Sequence, residues 1–404
     1  MKIAIIGGGA SGLSCAIEAA EKAKRLKKPV EITVYESKDR VGKKILATGN
    51  GRCNMLNMND KVCYFGDSDF AKAVTEKYSV KSNLQFFRRM GLYTRADEEG
   101  RVYPLSNQAS GVLDILRFEC ERLGVKFVVD SEIKIIEAKN DGFVLNKNHF
   151  ANKVVLACGS AAGVKNFNGY SLLKNLGHTV TKINPSLTKL VVKDNTLLKP
   201  LKGVRQKATL KLFINGQFVT EEKGEVLFAD YGLSGIAAMQ LSAYIARHFI
   251  KNKTVPLVKI DLVPDFEKAA LQKAVSEICN HNPEGKAENI FTGFMPKKIG
   301  EALLKECKIP FGKSCSLLSK KDIEVLVTAA KGLSFEISSL KDFSEAQVVA
   351  GGALCSEFKK ETLESKKQKN LFCCGELLDV DGLCGGYNLG WAWSSGRLCG
   401  NSLI

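Results

Sequence analysis

Residues 2–12 constrain this chain more than any other stretch. A short apolar run, residues 2–6, stops at Gly7-x-Gly9-x-x-Gly12, after which Leu13, Ala16, Ile17 and Ala20 recur at helical spacing. The order is strand, tight turn, helix. Pro29 breaks the helical pattern, and residues 31–36 (E-I-T-V-Y-E) alternate as a second parallel strand, completing a βαβ unit of ordinary size. In such a unit the glycines serve a tight turn, a close approach of backbone to pyrophosphate, and close helix packing. The free N–H groups and dipole at the helix start favour the negative charge. Glu36 ends the second strand 24 residues after Gly12, where a carboxylate accepts hydrogen bonds from a ribose diol and repels a 2′-phosphate. The pattern predicts a bound adenine dinucleotide and leaves NAD and FAD both open.

The rest of the chain alternates in character. Residues 109–123 carry a helical pattern leading through Gly124 into a strand at 125–129. Short alternating segments at 133–136 and 142–145 flank Asn140-Asp141-Gly142, a hairpin signal, and a buried-strand run at 154–157 ends in Gly159. Residues 188–262 are mainly β-like, with strands at 188–193, 204–214 and 256–262, a turn at Asn215-Gly216 and one helix over 235–250; residues 265–330 are mainly helical. Strand character resumes at 347–350 and 371–374, before a final helix from Asn388. At 404 residues the chain is too long for one core. The expected layout is an α/β domain built from 1–187 and 345–404, a β-rich insertion over 188–262 and a mainly helical subdomain over 263–344.

Composition limits the function classes. The formal charge of +16 would suit nucleic acid or anionic small molecules, but only 12 of the 59 basic residues are Arg, the side chain suited to bidentate recognition. A lysine-rich solvated surface is the plainer reading, and a small-molecule substrate is favoured over nucleic acid. No apolar run approaches the roughly 20 residues of a membrane helix, and the amino terminus lacks a signal-peptide layout, so a cytoplasmic protein without a membrane partner is expected. The 13 cysteines include no C-x-x-C pair and no metal-ligand spacing. Cys15, Cys120 and Cys158 read as small core residues, and the strand neighbours Cys373 and Cys374 point to opposite faces.

At the carboxyl end, Leu371-Phe-Cys-Cys-Gly375-Glu376 is a strand leading into Gly-acid, followed by Asp379, Gly382, Gly385-Gly386 and a helical run. Such a helix start can stabilise the negative charge of a reduced flavin near N1, or the segment is an ordinary glycine-rich loop capping a terminal helix.

Three segments together, G-G-G-A-S-G-L at 7–13, G-K-K-I-L-A-T-G-N-G-R-C-N at 42–54 and G-E-L-L-D-V-D-G-L-C-G-G-Y-N-L-G-W-A-W-S-S-G at 375–396, resemble the BaiN/RdsA-type (YhiN-like) flavoproteins, which are NAD(P)/FAD-dependent oxidoreductases. Further segments at 100–104, 232–235, 347–352 and 362–366 extend the likeness over nearly the whole chain. The resemblance implies an α/β fold with a Rossmann-like FAD-binding domain formed by both chain ends, an inserted β-barrel-like domain and a helical subdomain. By it, Gly7, Gly9, Ala10 and Gly12 hold the pyrophosphate and Glu36 the adenosine ribose. Lys44 and the loop of Thr48, Gly49, Gly51, Arg52, Cys53 and Asn54 run toward the flavin, Gly159 marks the adenine side, Gly375 and Glu376 serve the ribitol, and Gly386, Tyr387 and Asn388 lie against the isoalloxazine. Cys158-Gly159-Ser160 and Ile236 depart from the family pattern at the adenine-side and substrate-side loops.

Tyr387 and Tyr231 are the candidate proton donors. Cys53 reads as a packed loop residue and His178 as a helix-end residue, and no Ser/His/Asp or metal constellation stands out. The expected activity is hydride transfer between flavin N5 and a small organic substrate, with FAD as cofactor and NAD(P)H as a transient donor that would bind without a second G-x-G-x-x-G. The alternatives are a flavin-dependent RNA-modifying enzyme, which the charge would suit, and a non-catalytic FAD-binding redox sensor.

Overall fold

The computed structural model describes residues 1–59, 64–252 and 254–404, and the chain divides into two units, Met1–Asn184 with Val348–Ile404, and Pro185–Gln347. In the first unit, β1 (Lys2–Ile6) is buried from its second residue to its last, as a central strand covered on both faces must be. It is followed by α1 (Ala10–Arg25), β2 (Glu31–Tyr35), β3 (Lys126–Val128), β4 (Lys153–Leu156), β5 (Leu371–Cys373) and α2 (Tyr387–Ser402). The five strands form one parallel sheet in the order β5-β4-β1-β2-β3. Ile6 lies opposite both Tyr35 and Leu156, and Leu156 opposite Cys373, so four strands end level. The chain runs outward from β1 through β2 and β3, then returns to the other side for β4 and β5. A doubly wound sheet opens a crevice at that reversal, beyond the strand ends.

Both chain ends thus belong to one Rossmann-like domain, as the sequence implies. α2 packs on α1 almost backbone to backbone: a Cβ on Gly396 or Gly400 would stand 2.3 Å from the carbonyl oxygen of Ser11 or Cys15. Arg397, 6% exposed, donates to Glu18 Oε1 of α1 at 2.7 Å and to Asn83 Oδ1 at 3.1 Å, and lies over the Tyr78 and Phe86 rings. Cys15 and Cys120 are buried, whereas Cys158 is half-buried with its thiol 3.5 Å from the Ile6 carbonyl. Cys373 and Cys374 are both fully buried, because each face of this sheet is covered. The hairpin differs in register from expectation: its first arm is Ile136–Lys139, not 133–136. Lys139 pairs with Gly142, since a two-residue turn requires the arms to pair at once on either side of Asn140-Asp141.

In the second unit, six strands close a barrel in the order Leu190–Val192, Gly232–Ser234, Gln217–Ala229, Arg205–Ile214, Leu257–Asp261 and Leu333–Leu340. Asn215 and Gly216, both at positive φ, make the tight turn between the two longest strands. Here the structure differs from the division at 262/263. Leu333–Leu340 completes the barrel from within the segment read as helical, and its alternating burial gives the reason. Leu210, Phe228 and Ile260 of the strands share one hydrophobic core with Leu271, Leu303 and Leu326 of the helices. Among the described residues no helix is long and apolar enough to cross a membrane.

Candidate functional site

The turn between β1 and α1 is held by its own backbone and by Glu36. Gly7 N–H donates to the Tyr35 carbonyl at 2.8 Å, and Gly8 N–H to Glu36 Oε2 at 2.9 Å. Glu36 Oε1 accepts from Lys38 N–H at 2.9 Å, so the carboxylate is oriented from two sides and keeps lone pairs to spare. The three fingerprint glycines divide sharply in what surrounds them. A Cβ would lie 2.4 Å from the Ala157 carbonyl oxygen at Gly7 and 1.9 Å from the Gly7 carbonyl oxygen at Gly12, but at Gly9 it would meet no atom within 4 Å. Gly7 and Gly12 are therefore packing glycines, and Gly9 faces open space. It is the N-cap of α1, whose start has no side-chain cap among the described residues. First-turn N–H groups lack intrahelical acceptors, so this end offers an anion seat.

The ends of β4 and β5 meet beside it. Gly159, at φ +79° with open space where a Cβ would stand, precedes Ser160, whose hydroxyl donates to Glu376 Oε2 at 3.0 Å. Lys44 reaches the same oxygen at 2.8 Å from the short helix Lys43–Ala47. Gly375 N–H donates to Ser395 Oγ at 3.0 Å and its carbonyl accepts from Trp391 Nε1 at 3.0 Å, fixing Glu376 to α2. Ser160 joins this candidate site through its bond to Glu376, and the sequence carries no signal for it beyond adjacency to Gly159.

The 48–54 loop is wound by unusual backbone: Gly49, Asn50, Gly51 and Cys53 all have positive φ. Thr48 Oγ1 donates to the Ile45 carbonyl at 2.6 Å, the Thr48 carbonyl accepts from Cys53 N–H at 3.0 Å, and the Arg52 guanidinium lies 5.0 Å from the Tyr103 ring centroid. Cys53 is fully buried, and burial pushes its thiol up to about 11, the reverse of a reactive cysteine. The loop delivers Asn54 against the start of α2. Its Oδ1 is buried and has no hydrogen-bond partner among the described residues, and it lies 2.8 Å from where a Cβ on Gly386 would stand; that Cβ would also be 2.3 Å from the Leu56 carbonyl oxygen. With φ at +103°, Gly386 is required on both counts.

At that helix start Asn388 clasps the preceding loop, accepting from Gly382 N–H and donating to the Gly382 carbonyl, both at 2.8 Å. Asn57 Nδ2 donates to the Gly385 carbonyl at 2.8 Å, and Tyr64 OH to the Tyr387 carbonyl at 3.0 Å. The Tyr387 ring stands edge-on to Tyr64, whose phenol is pushed well up by burial. Tyr231 lies in the other unit, with Lys341 Nζ 4.2 Å and Lys189 Nζ 5.9 Å from its ring centroid. Of the two candidate donors, only Tyr387 shares a unit with the glycine turn.

His178 is more than a helix-end residue. Its Nδ1 is 2.8 Å from Glu357 Oε2 and its Nε2 2.9 Å from Ser365 Oγ, a Ser-His-Glu arrangement the sequence did not reveal. Ser365, 3% exposed, accepts backbone N–H bonds from Lys367 at 3.0 Å and Gln368 at 2.8 Å, so its hydroxyl proton goes to the histidine. This is a buried clasp leading into β5, with Ser365 and His178 both buried.

The family model for the HI0933-like protein Rossmann domain matches residues 1–402. The chain is 37% identical over 409 residues to a 3-dehydro-bile acid delta(4,6)-reductase of Clostridium scindens, covering 99% of this chain and 98% of that protein. It is 28% identical over 414 residues to a ribosomal RNA dihydrouridine synthase of Escherichia coli, covering 99% and 97%. Among solved structures, the apo Sdh1 complex of Mycobacterium smegmatis is similar with a TM-score of 0.44 and 15% identity, over 100% of this chain and 67% of that one, too distant to bear on function.

Proposed function

The chain belongs to the HI0933-like Rossmann-domain family, and from that premise we propose that it is an FAD-dependent oxidoreductase acting on a small organic molecule. The observation that carries the reading is the open, uncapped start of α1 at Gly9, placed where the sheet order reverses.

In this reading the first turn of α1, with Gly9 and Ala10, seats the pyrophosphate, and Gly7 and Gly12 allow the close packing that leaves that turn bare. Glu36, already aimed by Gly8 and Lys38, takes the adenosine ribose, and Gly159 borders the adenine side. Glu376, steered by Ser160 and Lys44, takes the ribitol hydroxyls. The Thr48–Asn54 loop, with Gly49, Gly51, Arg52 and Cys53, and the Gly386–Asn388 helix start bracket the ring. When bound, FAD supplies two-electron hydride chemistry at N5. The helix start stabilises negative charge on the reduced ring, and Tyr387 supplies a proton to the substrate.

The two relatives' names describe one kind of step, saturation of a carbon–carbon double bond conjugated to a carbonyl, in a steroid acid and in uracil respectively. We assign this chain the same step on a small molecule, with NAD(P)H as donor: hydride adds to the β-carbon and a proton to the α-carbon. The higher identity to the bile acid reductase favours a small molecule over RNA. The test is an absorbance spectrum of the purified protein, followed by anaerobic addition of NADH or NADPH and then of an α,β-unsaturated ketone. Expected are a flavin band, its bleaching by one nucleotide, and recovery with the saturated ketone as product. A protein that takes up no FAD would refute the reading. Turnover on RNA alone, with salt-sensitive binding, would move the substrate to nucleic acid.

A further inference from the structure

Three short strands, Leu56–Asn57, Arg101–Pro104 and Thr94–Ala96, form a small antiparallel sheet beside the start of α2. Arg95 lies directly opposite Tyr103 on it, so the two side chains share one face. The Arg52 guanidinium lies over the Tyr103 ring, and a Cβ on Gly49 of the same loop would stand 3.6 Å from Tyr103 Cε1. Tyr103 is buried, whereas both arginines are exposed. They differ from their neighbour in what faces them. Arg101 is held by Asp97 and Glu99, but neither Arg52 nor Arg95 has a carboxylate at ion-pair distance among the described residues. Arg52 makes one long bond, from Nε to the Gly49 carbonyl at 3.4 Å, which leaves its terminal N–H fork without an acceptor there. Stacking on the ring fixes the plane of that fork and leaves its edge open.

We infer that Arg52 and Arg95, on either side of Tyr103, seat a carboxylate of the substrate. The inference rests on the FAD reading above and deepens it by naming the substrate class: an unsaturated ketone that carries an acid group away from its reacting carbons. Two guanidiniums on one face, neither neutralised by the protein, repel each other until an anion lies between them, and a carboxylate has two oxygens to share with planar N–H forks. The placement says which end of the substrate is held. Tyr103 follows Arg101 by two residues on the same strand face, about 7 Å along the strand. Arg101 Cγ in turn is 3.9 Å from where a Cβ on Gly385 would stand, just before the helix start given to the flavin. The seat is therefore set back from that helix start and takes the far end of the substrate, while the carbons that receive hydride and proton lie over the ring. Because both arginines are exposed, water and salt weaken the attraction, so the preference for an acid should be modest and should fall with ionic strength.

The experiment uses the FAD-loaded protein, titrated with a 4-en-3-one steroid acid and with its methyl ester and read by the change in flavin absorbance. The wild type should bind the acid about tenfold more tightly than the ester at low salt, with the ratio shrinking as salt is added. Arg95→Gln and Arg52→Gln should each bring the ratio close to one, and Arg95→Lys, which keeps the charge, should retain part of it. The wild-type comparison needs no variant and so survives a variant that fails to fold. Equal binding of acid and ester by the wild type, binding of neither included, would overturn the inference and leave the FAD assignment standing, as would a ratio that both Gln substitutions leave untouched. Substitutions that spare the acid preference and weaken NADPH relative to NADH would give the seat to the 2′-phosphate of the nucleotide and overturn it as well. Protein that shows no flavin band would overturn the functional reading and this inference with it.

Discussion

Replacing Gly9 with valine should separate the fold from the cofactor, because Gly9 is the one fingerprint glycine whose side-chain space is open. Its backbone, at φ −83° and ψ −166°, is extended and open to any residue, and a Cβ there meets nothing within 4 Å. The flavin-free protein should therefore lose no more than about 1 kcal/mol, the usual cost of an apolar residue at an N-cap. With FAD the outcome is different. A pyrophosphate on the first turn of α1 takes at least two charge-assisted N–H bonds of about 1.5–3 kcal/mol each, so displacing it should cost about 3–6 kcal/mol, or roughly 10² to 10⁴ in Kd. Gly12→Ala is the control. Its Cβ would sit 1.9 Å from the Gly7 carbonyl oxygen, so the turn itself must shift, and the flavin-free protein should lose about 1–3 kcal/mol. Fluorescence titration with FAD, paired with urea unfolding of the flavin-free proteins, reads both effects. FAD affinity within threefold of wild type in Gly9→Val would refute the placement of the pyrophosphate. Equal destabilisation by the two substitutions would refute the division of labour among the glycines.

Tyr387→Phe should keep the flavin spectrum and lower turnover of an unsaturated ketone by about 10² or more, in keeping with a lost general acid; unchanged turnover would remove Tyr387 from the mechanism. Arg397→Met should destabilise the protein by about 1–3 kcal/mol, because Glu18 would lose its nearer guanidinium and keep Arg89 at 3.6 Å, while Asn83 Oδ1 would lose a buried donor; an unchanged urea midpoint would contradict this. Acid should weaken the His178 clasp in two steps. Burial holds the imidazole below its ordinary value, so its contribution is complete above about pH 6.5 and is lost as pH falls below that. Burial opposes ionisation of Glu357, but Lys367, the Thr179 amide and His178 hold it down to about 2. Its contribution is present above about pH 4.3 and lost toward pH 2. Urea midpoints at pH 7.5, 5.5 and 3.5 should fall in that order, and His178→Gln should remove the first step; a flat profile would contradict the clasp.

What the amino-acid sequence determined by itself is local. The run from Lys2 to Gly12, the periodicity after it and Glu36 at the end of the next strand specify strand, turn, helix and strand, because sterics and hydrogen bonding within a few residues admit little else. The Asn215-Gly216 turn and the helix after Gly386 are legible for the same reason. The family likeness carried the remaining site residues, including the 48–54 loop. Only the tertiary structure decided which distant segments meet. Lys44 and Ser160 converge on Glu376, His178 finds Glu357 and Ser365, Arg397 finds Glu18, and Leu333–Leu340 joins strands far back in the chain to close a barrel. Periodicity shows that a face must be buried without saying against what. That choice comes from the packing of the whole core and from each buried polar atom's need for a partner.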